Sequence, residues 1–277
     1  MANVKWRQLA GLDPGRLRQA RLTAHYAVQW LARASRAYLA PLPDDGHTNL
    51  GWDETIDGFV AHRLPDGVRL GVRIGNLALV LDGAAFALGG RTEAEARAWL
   101  GGRLAARGFD PARLDAKPPY EMPEHALARG AAYAGGMADA LAELAAWFTN
   151  AGRMLGAVRE AMAARGFTAS PVRCWPHHFD LATLALLDDG GADRVRSVNA
   201  GLSPGDAWYD EPYFYVSPYP YPAASALPQL PAIGHWHTSG FTAAVAPATR
   251  ILAAPEPMAA AEDFLRAAAD GALKALA

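Results

Sequence analysis

One stretch of this chain gathers side chains that can transfer protons or hold metal ions. Half of the eight histidines lie within residues 177–237. They are His177, His178, His235 and His237. Residues 206–222, between the two pairs, carry seven aromatic residues, three acids and four prolines. Phenol, imidazole and carboxylate groups concentrated in this way are typical of a small-molecule site, so we predict a ligand-binding cleft here.

The spacing of these histidines also suits a metal site. In an extended strand, residues i and i+2 point to the same face, so His178 would lie beside Asp180, and His235 beside His237. Three imidazoles and a carboxylate are a ligand set that zinc, manganese or iron prefers. Glu211 could add a further ligand or act as a base on bound water. In the alternative interpretation, the same residues only form a half-buried aromatic corner and flank a core tryptophan.

A second motif resembles the nucleophile elbow of serine hydrolases, but it lacks a group that the chemistry requires. The sequence Gly201-Leu-Ser-Pro-Gly205 has the spacing of that elbow. The residue after the nucleophile must donate its backbone N–H to the oxyanion, and Pro204 has none. We therefore interpret residues 201–205 as a turn.

Composition limits the class of protein. With 277 residues, 51% of them hydrophobic, the chain can bury a large core. The 26 basic and 28 acidic residues nearly balance, which favours neither nucleic acid nor an anionic membrane as a partner. A single cysteine, Cys174, allows no internal disulfide and fits a reducing compartment. Because no signal-peptide pattern or long uncharged span is found, we expect a cytoplasmic protein.

The hydrophobic periodicity predicts an α+β fold with antiparallel sheets packed against helices. Helical spacing covers residues 17–39, 92–107, 124–165 and 258–276. Short apolar runs separated by turn residues indicate strands in residues 55–86 and from residue 171 onward. We expect the strand at residues 213–216 to pair beside the strand that contains Asp180.

The order of elements suggests two similar halves within one compact chain of residues 1–277. The halves would be residues 15–116 and 124–277, joined by the proline-rich segment 117–123. Trp52-x-x-x-Ile-Asp57 and Trp175-x-x-x-Phe-Asp180 match at the same point of each half. So short a match also arises by chance, and an internal duplication is therefore one of two interpretations.

Several blocks of the sequence resemble the DUF5996 family of uncharacterised bacterial proteins. The most specific is Asp210-Glu-Pro-Tyr-Phe-Tyr215, followed by Tyr219-Pro220; Ser170-Pro-Val and Phe179-Asp-Leu-Ala182 precede it. The resemblance extends over nearly the whole chain and implies no particular activity. Seven residues with functional side chains match the family pattern: His25, Gln29, His47, Asp180, Asp210, Glu211 and Tyr215. The sequence departs from the family at His177, His178, His235 and His237, so a metal held by these histidines would belong to a subgroup.

These observations predict a cleft for a small molecule lined by histidine, acid and tyrosine side chains. The candidate ligand-binding residues are His25, Gln29, His47, Asp210 and Tyr215. The candidate catalytic residues are Asp180, Glu211 and His25, with His25 or His47 as the expected partner of Asp180. A divalent transition metal held by His178, His235 and His237 is the candidate cofactor. Two alternatives remain: a buried polar network that fixes helix to sheet, or an interaction module that uses residues 206–222 without catalysis.

Overall fold

In a computed structural model of the chain, residues 6–188 and 195–277 are described. This part of the chain contains five α-helices and two antiparallel sheets, of five and seven strands, which confirms the predicted α+β class. No helix in it has both the length and the apolar composition that a membrane crossing requires. The helices are α1 (Pro14–Tyr38), α2 (Glu93–Ala105), α3 (Ala138–Ala164), α4 (Ala248–Leu252) and α5 (Pro257–Leu276).

Three of the four predicted helices are found close to their expected limits, and one is shorter. Thr92 and Glu95 form a capping box at the start of α2, as their spacing predicts. The helix expected from residue 124 begins only at Ala138. Gly130 and Gly136 adopt left-handed backbone angles, with φ of 86° and 74°, and these angles interrupt helical geometry before α3.

Contacts divide the chain into two compact units. The N-terminal unit comprises residues 12–149 and 174–179, and the C-terminal unit comprises residues 6–11, 150–173 and the described residues from 180 to 277. This division differs from the expected halves, because it falls within α3 and not at residues 117–123. The proline-rich segment is instead packed into the N-terminal unit, where the Tyr26 hydroxyl donates to the Pro123 carbonyl at 2.8 Å.

The N-terminal unit contains a five-stranded meander. Its strands are β1 (Gly51–Asp53), β2 (Gly58–Val60), β3 (Leu70–Arg73), β4 (Ala78–Leu81) and β5 (Ala84–Ala87), paired in sequence order. Phe59, Val72 and Leu79 lie opposite one another and are fully buried, so they form the core face of this sheet. Asp82 and Gly83 both have positive φ, in the two-residue turn that their sequence predicts.

The C-terminal unit is built on the larger sheet. The strands of this sheet are β6 (Thr168–Ala169), β7 (Arg173–Trp175), β8 (Asp180–Leu186), β9 (Ser197–Ser203), β10 (Tyr213–Tyr219), β11 (His235–His237) and β12 (Ala243–Pro247). Of β7, only Arg173 belongs to the C-terminal unit. The order is β11-β12-β10-β9-β8-β6, with β7 as the seventh strand. The strands of Tyr215 and Asp180 belong to one sheet, as expected, but the expectation that they are neighbours is wrong, because β9 pairs with both and separates them. One face of β10, with Phe214 and Val216, is buried, and α5 packs against this strand.

The sequence match between Trp52–Asp57 and Trp175–Asp180 corresponds in the structure only to a similar turn. Residues 54–57 and 176–179 are both four-residue turns that end in a left-handed residue, Asp57 in one and Phe179 in the other. Asp57 therefore corresponds to Phe179, not to Asp180 as the sequence match suggests. The two sheets differ in strand number and order, so the likeness does not extend beyond this hairpin turn.

Candidate functional site

The second face of the seven-stranded sheet carries a hydrophobic cluster around Val245 together with most of the predicted site residues of the C-terminal unit. Tyr215 on β10 lies opposite Gly201 on β9 and Val245 on β12, and Val245 lies opposite His235 on β11. Residues two positions away along each strand share this face. The polar residues placed there are Asp180, Asn199, Ser203, Tyr213, Tyr215, Ser217, His235 and His237.

Tyr215 reaches across β9 to the carboxylate of Asp180. Its hydroxyl donates a short hydrogen bond to Asp180 Oδ2. The ring crosses β9 at Gly201, where a β-carbon would lie 2.5 Å from the phenol oxygen and from the ring carbon that bears it. Burial raises the pKa of Tyr215 well above its usual value, and the Asp180 charge raises it further. The phenol therefore stays protonated and acts as a donor.

Asp206 fixes the loop between β9 and β10. Its Oδ1 accepts from the backbone N–H groups of Trp208 at 2.8 Å and Tyr209 at 3.0 Å. Its Oδ2 accepts from the Tyr213 hydroxyl at 2.6 Å. This Asx-type turn sets the position of the Tyr209 ring. Neither Asp206 nor Tyr209 was predicted from the sequence as a site residue. An aspartate that precedes a tryptophan by two residues and a tyrosine by three is nevertheless a local signal for such a turn.

The Tyr209 hydroxyl lies between two imidazoles. It is 2.9 Å from His235 Nε2 and 3.0 Å from His237 Nδ1. His237 Nε2 lies 2.6 Å from the Ser239 carbonyl oxygen, which can only accept, so this nitrogen carries a proton. In the neutral ring, His237 Nδ1 then accepts from the Tyr209 hydroxyl, and the Tyr209 oxygen accepts from His235 Nε2–H.

This proton order leaves one acceptor unused. Nδ1 of His235 carries the lone pair, is shielded from solvent and has no hydrogen-bond partner among the described residues. Burial lowers the pKa of His235, and the charge of Arg250 lowers it further, which favours the neutral ring. The network therefore runs in one direction and ends at a buried basic nitrogen that has no partner.

A second histidine cluster lies in the N-terminal unit, at the turn of residues 176–179. His25 Nε2 and Gln29 Nε2 both donate to the Pro176 carbonyl, at 2.7 and 2.8 Å. Tyr120 donates its hydroxyl to Gln29 Oε1 at 2.7 Å, and the His25 ring stacks on Phe179 with centroids 5.1 Å apart. Burial lowers the pKa of His25 to about 4, so the ring is neutral at pH 7. These contacts fit the alternative of a buried polar network that fixes α1 to a hairpin turn.

The remaining predicted ligand-binding and catalytic residues are His47, Glu211 and Asp210, and their contacts or exposure indicate what each can do. His47 is buried, and its Nδ1 accepts from the backbone N–H of Leu42 at 3.2 Å. Glu211 accepts from the backbone N–H of Thr249 at 2.7 Å and from its hydroxyl at 3.1 Å, at the start of α4. This geometry is that of a helix cap, which occupies the Glu211 carboxylate. Asp210 is exposed in the loop that carries Tyr209.

The predicted metal set does not come together as a metal site. In residues 6–188 and 195–277, no group of three or more histidine, cysteine or acidic side chains is arranged to hold a metal ion. His235 and His237 do share a face, as their spacing predicts, but both turn a ring nitrogen toward Tyr209. His178 belongs to the N-terminal unit, where its ring lies 4.1 Å from that of His177.

The turn predicted for residues 201–205 is confirmed only at its end, because Gly201 to Ser203 form the last part of β9 and only Pro204 and Gly205 lie beyond the strand. The Ser203 hydroxyl accepts from the backbone N–H of Gly205 at 3.2 Å, and the serine is buried at the end of β9. This contact is a serine turn and not the exposed geometry of a nucleophile.

Comparison of the chain with protein-family models, with curated proteins and with solved structures finds no match. The resemblance to DUF5996 stays a prediction. Any functional conclusion rests on the geometry of the two clusters described above.

Proposed function

We propose that the C-terminal unit binds a small polar molecule at the tyrosine–histidine site, defined as Tyr209, His235 and His237. The observation that supports this proposal is the buried, unpartnered lone pair on His235 Nδ1. A buried polar atom without a partner costs about 1–3 kcal/mol, which a ligand that donates a hydrogen bond would recover. The ligand therefore carries a hydroxyl or N–H group that can donate to this nitrogen.

The aromatic neighbours favour a ligand with a flat apolar part. Phe241 stacks on the His237 ring with centroids 4.2 Å apart, and Trp208 meets that ring edge-on at 5.1 Å. Trp208 remains 55% exposed, a large exposure for so apolar a side chain. A ring or a short hydrocarbon body placed against Trp208 would remove this surface from water while its donor group reaches His235.

The same geometry equips His235 as a general base. A proton taken from the ligand by Nδ1 would make the ring cationic, and the Nε2 proton could then move toward the Tyr209 oxygen. Tyr209 would in turn pass its own proton to His237 Nδ1, which spreads the charge over the network. We therefore propose His235 as the base if the bound molecule reacts. Asp180 and Glu211 are less suited, because each accepts hydrogen bonds from a fixed protein donor.

A second candidate function is that of a protein-interaction module. The C-terminal end of residues 206–222 supports this candidate. Tyr219 and Tyr221 are 58% and 52% exposed and lie edge to face, 6.2 Å apart. Exposed tyrosines flanked by prolines are frequent in protein–protein contacts. The segment is thus divided, with its first half turned to the polar network and its second half turned to solvent.

A ligand screen with paired variants tests the first candidate against the second. Small hydroxyl- and amine-bearing compounds are screened for stabilisation of the protein against heat, and each hit is measured on Tyr209→Phe, His235→Phe and Tyr221→Phe. We expect stabilisation of the wild type and of Tyr221→Phe, with loss in the other two variants. A hit should also shift the 15N resonance of His235 Nδ1 in NMR spectra. Equal stabilisation of all four proteins, or no hit at all, would count against the tyrosine–histidine site.

A further inference from the structure

The outer face of the five-stranded sheet in the N-terminal unit carries a groove that the tyrosine–histidine site does not involve. We propose that this groove binds a small molecule through a phosphate group. Its volume is about 400 Å³, within the usual range of roughly 300–1,000 Å³ for small-molecule sites. The inference is independent of the proposed function, since it concerns other residues in the other unit.

Two arginines flank a glycine at the centre of the groove. Gly71 and Arg73 alternate along β3 and Arg69 directly precedes it, so all three are placed on the outer face. A β-carbon on Gly71 would lie 3.0 Å from Ile56 Cδ1 and from the Phe59 carbonyl, so the Ile56 side chain packs closely over the glycine and adds to the apolar lining. Val60 and Val80 lie opposite Gly71 on either side and line the groove with apolar surface.

The arginines have donors available, whereas the acids in the groove are already engaged. Arg73 lines the groove, and its side chain makes no hydrogen bond or ion pair with any described residue. Arg69 is 3.9 Å from Asp53 with its side chain 62% exposed, a contact that contributes little and is easily exchanged. Asp53 Oδ1 accepts both the backbone N–H and the hydroxyl of Thr55, at 2.9 and 2.6 Å.

The side chains that line the groove carry a net positive charge. Arg63, Arg69 and Arg73 line it together with Asp53 and Asp82, which leaves a surplus of one positive charge. Asp82 is also paired at 2.7 Å with Arg107, which does not line the groove. This balance favours an anion, and guanidinium groups bind phosphate oxygens in a bidentate geometry. The apolar surface at Val60 and Val80 can hold the body of the molecule.

Calorimetric titration at constant ionic strength tests the proposal, with inorganic phosphate, phenyl phosphate and benzoate as probes and chloride as the reference salt. We expect millimolar or tighter binding of both phosphates, and weakening by about tenfold or more in the Arg69→Gln/Arg73→Gln variant. Arg266→Gln is the matched control, since Arg266 is an exposed arginine on α5 that pairs with Asp263. The Arg69→Lys/Arg73→Lys variant should bind both phosphates with intermediate affinity, because it keeps the positive charges and loses the bidentate hydrogen bonds.

The outcomes separate the possible ligands. Tighter binding of phenyl phosphate than of inorganic phosphate supports an organic phosphate seated over Val60 and Val80. Benzoate binding as tight as phenyl phosphate binding would overturn the assignment to phosphate. Equal phosphate affinity in the wild type and the double-glutamine variant, with both folded by circular dichroism, would overturn the site itself. Failure of the screen at the tyrosine–histidine site has no bearing on this result, because the variants and probes differ.

Discussion

The two histidine clusters use the same groups in opposite ways. In the N-terminal unit, His25 and Gln29 direct their donors to one backbone carbonyl, that of Pro176, and so fix a turn. In the C-terminal unit, the chain of hydrogen bonds from His235 through Tyr209 to His237 joins side chains and leaves His235 Nδ1 open. The C-terminal network also reaches a backbone carbonyl, that of Ser239, so the feature that distinguishes it is the unpartnered Nδ1 of His235. This contrast supports a structural role for the first cluster and the proposed ligand binding at the second.

The largest expected difference between the clusters appears in acid. His25 has a pKa of about 4 in the folded protein and 6.5 as its ordinary value, so between these values only the unfolded chain binds the proton. Its contribution to stability is complete above pH 6.5 and is lost as the pH falls toward 4, by about 3 kcal/mol in all. Denaturant unfolding of the wild type and His25→Gln from pH 7 to 4.5 measures this loss as the difference between the two proteins.

The corresponding control is His235→Gln. The pKa of His235 is also lowered, but the ring is only partly buried, so its substitution should change the pH dependence less than that of His25. Identical pH dependence of the wild type and His25→Gln would remove the basis for calling the first cluster structural.

The second prediction concerns Gln29. Gln29→Leu removes a donor from the buried Pro176 carbonyl and an acceptor from the partly buried Tyr120 hydroxyl. We expect a loss of about 2 kcal/mol in the free energy of unfolding, because both groups lose a partner. Gln19→Leu, an exposed position on the same helix, should cost far less. Chemical denaturation of both variants gives the comparison, and equal effects would contradict a structural role for Gln29.

The third prediction concerns the hydrogen bond between Tyr215 and Asp180, on the sheet that carries the tyrosine–histidine site. Tyr215→Phe removes the donor to the Asp180 carboxylate and should lower stability by about 1.5 kcal/mol. Tyr219→Phe, on the exposed end of the same strand, should have almost no effect. If Tyr215→Phe leaves the free energy of unfolding unchanged or raises it, the Tyr215–Asp180 pair has a functional role and not a structural one. Residues of binding sites are seldom optimised for stability.

The smallest expected effect on stability is that of Tyr209→Phe, at about 0.5 kcal/mol, because the tyrosine and both histidines are only partly buried. The informative measurement is the 15N spectrum of the imidazoles. In the wild type, His235 and His237 should both carry their proton on Nε2, and the substitution should remove this shared preference at His235. Protonation of His235 on Nδ1 in the wild type would reverse the proposed direction of the network and remove its open acceptor.

Much of the fold follows from local signals in the sequence, and the site follows only in part. The capping box at Thr92 and the Asp82-Gly83 turn depend on neighbouring residues, and both are present as predicted. The neighbours of β10 could not be predicted in this way, because strand order depends on contacts between distant residues. The same limit applies to the site. The spacing of His235 and His237 places them on one face, but the group that joins them, Tyr209, is positioned by a loop that Asp206 fixes.

The close approach of Tyr215 to Gly201 has a consequence for how this protein can change in evolution. A side chain at position 201 would occupy the space of the Tyr215 phenol. A small residue at position 215 would leave the space over Gly201 unfilled. The two positions are therefore free to vary only together. Among homologous sequences, we expect glycine at position 201 wherever position 215 is aromatic, and this coupled substitution pattern would identify relatives that keep the bond to Asp180.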